Sequence, residues 1–228
     1  MEQTKPNKNK WISFLADGVL SGLMLGIGGM VSLSSENRFL GAFLFSLGLF
    51  CIVQFKYGLL TGKVGFIVNR DLPYVAETAV TLVGNALGTL IAALLLRQVR
   101  FFTSTVSTMD VTISDRVQAT VDGKIHDNPL SIFILAIFCG ILMFTAVEGS
   151  RKCKEEKNFA GSLFVVVMPV MVFIICGFNH CIADMFYYFF AGCPEPSKAI
   201  VYFILAIAGN SVGGMIVPLL KKLSNQPL

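Results

Sequence analysis

The 228 residues are 54% hydrophobic and 14% charged, with a mean hydropathy of +0.71, whereas a soluble domain carries about 25% charged residues. That excludes an ordinary water-soluble enzyme and marks a polytopic membrane protein, in which a net charge of +4 bears on orientation and does not point to nucleic acid. Six cysteines without a C-x-x-C pair read as small apolar fillers, so no disulfide framework, metal site or cofactor is expected.

A helix that crosses a bilayer needs about 20 apolar residues. Candidate spans in chain order are 12–33, 39–68, 76–96, 129–147, 160–192 and 199–220, with a loop over 98–128. The first run is full length and lacks a clear cleavage site, so no cleavable signal peptide is expected. Spans two and five are too long: as straight helices they would reach about 45 and 50 Å, against about 30 Å of hydrocarbon. Each is interrupted by a polar, Gly-containing segment, "QFKYGLLTGK" (54–63) and "GFNHCIAD" (177–184). The economical reading is two broken helices, and non-helical backbone at membrane depth must be buried in protein or line a cavity.

An even number of spans puts both termini on one side. That side collects Lys5, Lys8, Lys10, Arg70, Arg151, Lys152, Lys154, Lys157, Lys221 and Lys222. The other has Arg38, Arg97, Arg100, Arg116, Lys124 and Lys198. Ten basic residues against six predict cytoplasmic termini in a cell membrane.

The segments "ETAVTLVGNALGTLIAALLLRQ" (77–98) and "YFILAIAGNSVGGMIVPLLKKL" (202–223) align without a gap, Gly84-Asn85 on Gly209-Asn210 and Gly88 on Gly213. The copies are the third and sixth spans, three steps apart in chain order, so they run in opposite directions, and the broken spans fall at matching places. Paired interrupted helices in inverted halves point to a transport site near the midplane; small-residue packing alone would explain the glycines but not the breaks.

The second interruption places Asn179, His180 and Asp184 in an apolar stretch. Ionisable groups at that depth are functional by default. His180 is one of two histidines, and the other, His126, falls in the 98–128 loop. Its imidazole can donate to an anion when neutral and pair with or protonate one when charged. In span two, Thr61 can offer its hydroxyl to a substrate or cap its own helix. Lys63 is expected to snorkel to the cytoplasmic surface, and Asp17 in span one has no evident partner.

These strings, "LGLFCIVQFKYGLLTGKV", "GFNHCIADMF" and the entrance "KIHDNPLSIFILA" to span four, resemble the formate/nitrite transporter family from Trp11 to Leu223. The resemblance implies an all-α membrane protein, a pentamer of aquaporin-like six-span protomers with a pore in each. It makes His180 the central pore histidine, Thr61 the threonine of the span-two break, and Lys124 the vestibule lysine. Phe45, Leu49, Leu59, Leu60 and Phe173 fall where the family narrows its pore. Three positions depart: Gly140 replaces an asparagine, Asn179 stands for the acid before the histidine, and Asp184 for the asparagine after "IA". The implied function is passage of a small monovalent anion such as formate, nitrite, lactate or hydrosulfide, with proton transfer from His180 or water letting the neutral acid cross. An aquaporin-type channel for neutral solutes is the alternative. A membrane enzyme using His180 and Asp184 finds no support in any nucleophile elbow, HExxH or paired-carboxylate pattern.

Overall fold

The computed structural model describes residues 10–106 and 110–224, so Lys5 and Lys8 of the orientation count lie outside the described residues. Six helices are long and apolar enough to cross a membrane: α1 (Lys10–Ser34), α2 (Arg38–Phe55), α4 (Leu72–Arg97), α6 (Pro129–Glu155), α7 (Phe159–Cys176) and α9 (Pro196–Leu223). Between them stand α3 (Leu60–Lys63), α5 (Ile113–Ile125) and α8 (Cys181–Ala191). Spans two and five are broken as the two polar interruptions require, α2 from α3 and α7 from α8.

Both first halves end in the left-handed region. Lys56 has φ +60° and its N–H, like that of Tyr57, bonds the Ile52 carbonyl. Gly177 has φ +71°, with Phe178 N–H bonding Phe173 O at 2.9 Å. A left-handed residue followed by bonds back to the last turn is how a helix stops without stranding its carbonyls. The second halves differ. In span five α8 continues for 11 residues, whereas in span two α3 is a single turn that tightens into a 3-10 stretch over Val64–Asn69. Packing sets that: a Cβ added at Gly65 would meet the Gly214 carbonyl and the Phe144 ring.

The inverted halves are built alike. α4 packs on α1 through glycines, so that a Cβ at Gly84 would lie 2.9 Å from Gly18 Cα. α9 packs on α6 in the same way, where a Cβ at Gly213 would run into Ile137. Close backbone approach through small residues is the common route to helix association in lipid.

The 98–128 segment is more structured than a loop. A two-stranded antiparallel hairpin, β1 (Thr105–Val106) and β2 (Val111–Thr112), leads into α5. Thr112 and Asp115 form a capping box at its start, and Ile113, Val117, Val121 and Ile125 bury one face against the domain. All six cysteines are free, but only Cys139 and Cys181 are buried; Cys176 and Cys193 are exposed, so the filler role fits part of the set.

Candidate functional site

Two asparagines, one in each repeat copy, hold the breaks. Asn85 in α4 donates to Gly18 O (2.9 Å) and Gly58 O (2.8 Å) and accepts from Leu60 N–H (2.9 Å). Asn210 in α9 donates to Ala136 O (2.8 Å) and Asn179 O (2.8 Å) and accepts from Cys181 N–H (2.9 Å). Each amide therefore ties the last residue but one of a break, the first residue of the following helix and the opposing helix of its own half. Backbone that leaves a helix at this depth has no water to bond, and the asparagines supply the partners.

That clamp makes Leu59 and His180 equivalent, each the N-cap of its second half-helix. His180 is 1% exposed. Its Nδ1 accepts the Ala183 N–H at 3.1 Å, so the proton of the neutral ring sits on Nε2, which faces Thr61 Oγ1 at 3.0 Å. Thr61 is not a cap: its hydroxyl bonds the histidine across the two breaks, and its own proton is left for a further acceptor. A ring wall stands on one side. Phe173 stacks on His180 with centroids 5.5 Å apart and meets Phe45 edge-on at 5.7 Å.

Two cavities flank this layer. One, of about 400 Å³ on the α5 side, reaches Phe45, Phe173, Ala183 and Asp184 and is lined by Arg38, Arg116, Lys124 and Glu36. The other, of about 360 Å³, reaches Leu59 and is lined by Lys56, Lys63, Arg151 and Lys154, with no carboxylate among the described residues of its wall. Leu49 and Leu60 are buried in the apolar cluster that also holds Phe45, Leu59 and Phe173. Lys63 stays in this second cavity with Nζ 4.7 Å from the Phe14 ring centroid and 5.1 Å from that of Tyr74. Asp17 stands beside the span-two break, its Cβ 3.5 Å from where a Gly58 Cβ would be.

Lys124 is not a free cation. Its Nζ lies 3.1 Å from Asp184 Oδ1 and donates to Asn179 Oδ1 at 2.8 Å. The other Asp184 oxygen accepts the Tyr202 hydroxyl at 2.6 Å, and Asn179 Nδ2 donates to Ile132 O at 3.2 Å. Asp184 is 4% exposed and Asn179 2%. The position before the histidine, where the family resemblance implies an acid, holds Asn179, and the carboxylate that reaches Lys124 comes from four residues after the histidine. At Gly140 a Cβ would meet Asn210 O and lie 2.8 Å from Gly214 N, so the α6–α9 approach leaves no room for an asparagine there.

The sequence reading did not find the Asn85 and Asn210 clamps, Tyr202, or α5 as the arm carrying Lys124. Only α5 had a legible signal, the four-residue spacing 113, 117, 121, 125 behind a T-x-x-D box. Its far end is fixed by polar contacts outside the bilayer. His126 lies 2.9 Å from Asp122 Oδ1 and 3.1 Å from Glu195 Oε1, and Lys198 Nζ lies 2.7 Å from Glu195 Oε2. The Lys198 ammonium holds the Glu195 carboxyl below its usual range.

Six spans in inverted halves, two broken helices meeting at a histidine–threonine pair, and a basic cavity at each face define a multi-pass membrane protein of the channel or transporter class. The sequence profile of the formate/nitrite transporters matches residues 2–222, and the chain belongs to that family, which consists of transporters of small anions and not of enzymes. The formate channel FocA of Haemophilus influenzae is 25% identical over 194 residues, 80% of this chain and 67% of that one. The transporter YrhG of Bacillus subtilis is 27% identical over 225 residues, covering 90% and 81%. Among solved structures, a pentameric formate channel with formate bound superposes with TM-score 0.78 at 22% identity, over 96% of this chain and 99% of that one. An FNT family ion channel gives 0.76 at 16% identity, over 95% and 90%.

Proposed function

We propose that the protein passes a small monovalent anion or its weak acid, of the formate, nitrite or hydrosulfide kind, through a pore in each protomer of a homopentamer in the cell membrane. Both termini face the cytoplasm, so the cavity walled by Arg151 and Lys154 is the inner one. The observation that carries the reading is the buried Thr61–His180 pair, with its two donor protons, between cation-lined vestibules. Phe45, Phe173 and Leu49 resist a bare charge on the outer side and Leu59 and Leu60 on the inner; Lys124 and Asn179 stand at the outer mouth.

In the translocation step His180 and the Thr61 hydroxyl donate to the anion. A ring that has taken a proton from water at Nδ1, the imidazolium, passes its Nε2 proton to the anion so that the acid crosses uncharged, and exchange with water then restores the Nε2–H tautomer. Forming that imidazolium requires Nδ1 to give up the Ala183 N–H. Neutral His180 remains a hydrogen-bond donor through Nε2. Lengthening that one cap bond is what primes the ring to carry a proton.

The test is stopped-flow uptake of formate, nitrite, lactate and hydrosulfide into proteoliposomes between pH 5 and 8. Saturable, pH-dependent uptake that His180→Phe abolishes in a folded protein is the expected result. Flux that is pH-independent and unchanged in His180→Ala would instead identify a neutral-solute channel.

A further inference from the structure

We propose that Asp184 makes capture of an anion in the outer vestibule conditional on uptake of a proton, because the carboxylate and the anion compete for Lys124. The inference rests on the reading of that vestibule as an anion path, and it turns on a residue at which this chain departs from its family.

Lys124 and Asp184 both line the outer vestibule, and their charged atoms are 3.1 Å apart. The groups facing Asp184 are Lys124 from α5, Tyr202 from α9, Cys139 from α6, and Cys181, His180, Tyr187 and Tyr188 from its own helix and the break before it. Arg116 and Glu36 lie across the vestibule. Among the described residues Lys124 is the one cation within ion-pair distance of Asp184. The Lys124–Asp184 pair is therefore one cation and one anion, both largely out of water, with net charge zero, and Arg38, like Arg116 and Glu36, belongs to the surrounding vestibule wall.

An arriving anion can reach the Lys124 ammonium in two ways. If Asp184 stays ionised, the site holds two negative charges and one positive, an uncompensated charge in a poorly hydrated wall, which is strongly disfavoured. If Asp184 Oδ1 takes a proton from vestibule water, Lys124 exchanges one carboxylate for another and the net charge stays zero. The second state is reached by binding one anion and one proton together, so each makes the other bind better, as linkage requires. Tyr202 holds the ionised form through its hydroxyl, and Asn179 keeps Lys124 in place during the exchange. Asp184 is thus a positioning residue acting through Lys124: it holds the proton while Lys124 holds the anion, and it returns that proton to vestibule water when the anion moves on toward His180.

The experiment is the half-saturating formate concentration for uptake into proteoliposomes, measured from pH 5 to 8 with the maximal rate recorded separately. In wild type it should rise with pH, approaching tenfold per unit. In Asp184→Asn, which keeps an acceptor for Tyr202, it should be flat within about twofold and lower than wild type at pH 8. Asp184→Glu should restore the slope. A slope that survives in Asp184→Asn would place the proton on the formate itself and overturn the proposal. Should Asp184→Asn fail to fold, Tyr202→Phe removes one hydrogen bond to the ionised carboxylate and should move the pH dependence about one unit higher; no movement overturns the proposal. Saturable wild-type uptake with a pH-independent half-saturation would defeat the role of Asp184 and leave the pore reading standing. Absence of saturable uptake of any anion would defeat both.

Discussion

Replacing Asn210 by Ala removes three hydrogen bonds at once and leaves the second break without its clamp. The Ala136 carbonyl keeps its place in α6, but the Cys181 N–H and the Asn179 carbonyl lose their partner in a fully buried place. Two buried polar groups left unsatisfied cost about 1–3 kcal/mol each, so about 2–6 kcal/mol together. Polar contacts within a bilayer average about 0.6 kcal/mol per pair, and three of them put the lower bound near 2 kcal/mol as well. For a chain of this size each kcal/mol lowers the unfolding midpoint by about 2–4 °C, so the loss should be about 4 °C or more. Asn85→Ala should behave alike, since it frees the Leu60 N–H and Gly58 carbonyl. Ser211→Ala is the control: it is the next residue along α9, on a different face, and its hydroxyl bonds its own helix at Ile207 O. Thermal unfolding in detergent, paired with formate uptake, reads all three. Midpoints within 1 °C of wild type and intact uptake in both asparagine variants would refute the clamp.

At Gly177, φ +71° makes Gly177→Ala cost about 1–2 kcal/mol, while Lys56→Gly at the matching place should be neutral or slightly stabilising, both read from the same unfolding midpoints. Lys124→Ser strands the Asp184 carboxylate in the outer vestibule, so anion uptake should fall most at low ionic strength, where screening is weakest, and Lys124→Ser combined with Asp184→Asn should recover part of it. Equal loss at all salt concentrations would mean that Lys124 only supports the fold. Because Lys198 holds the Glu195 carboxyl below its usual 4.5, that contact stabilises the α5–α9 junction above pH 4.5 and is lost as pH falls through the lower folded value. Lys198→Ala should therefore speed amide exchange at the end of α5 and start of α9 at pH 7, with the difference from wild type shrinking as pH falls below 4.5.

The parts of this molecule written in periodicity and length were legible in its sequence. Span two exceeded the bilayer, so it had to break, and "QFKYGLLTGK" offered the only polar, glycine-bearing place. The same held for span five. The repeat of Gly-Asn in α4 and α9 was visible as a pattern, but its meaning was not. An asparagine beside packing glycines looks the same whether it faces another helix or reaches two residues of a distant break. The Lys124–Asp184 pair is a contact across 60 positions of chain, carried on a helix that reads as loop because half of its face is polar. Only the fold brings α5 down onto α8. Thr61 offered two readings, cap or substrate donor, and the choice depended on His180 being the N-cap opposite it, which no local spacing encodes.

The central claim is that His180 titrates in the translocation step. The most direct measurement is the maximal rate of formate uptake, at saturating concentration, for wild type and His180→Asn between pH 5 and 8. Asparagine keeps a donor toward Thr61 and removes the titrating ring. The account predicts that the wild-type rate rises as pH falls and that the variant conducts with a flattened profile. Coincident profiles would contradict it and reduce His180 to a hydrogen-bonding and packing residue.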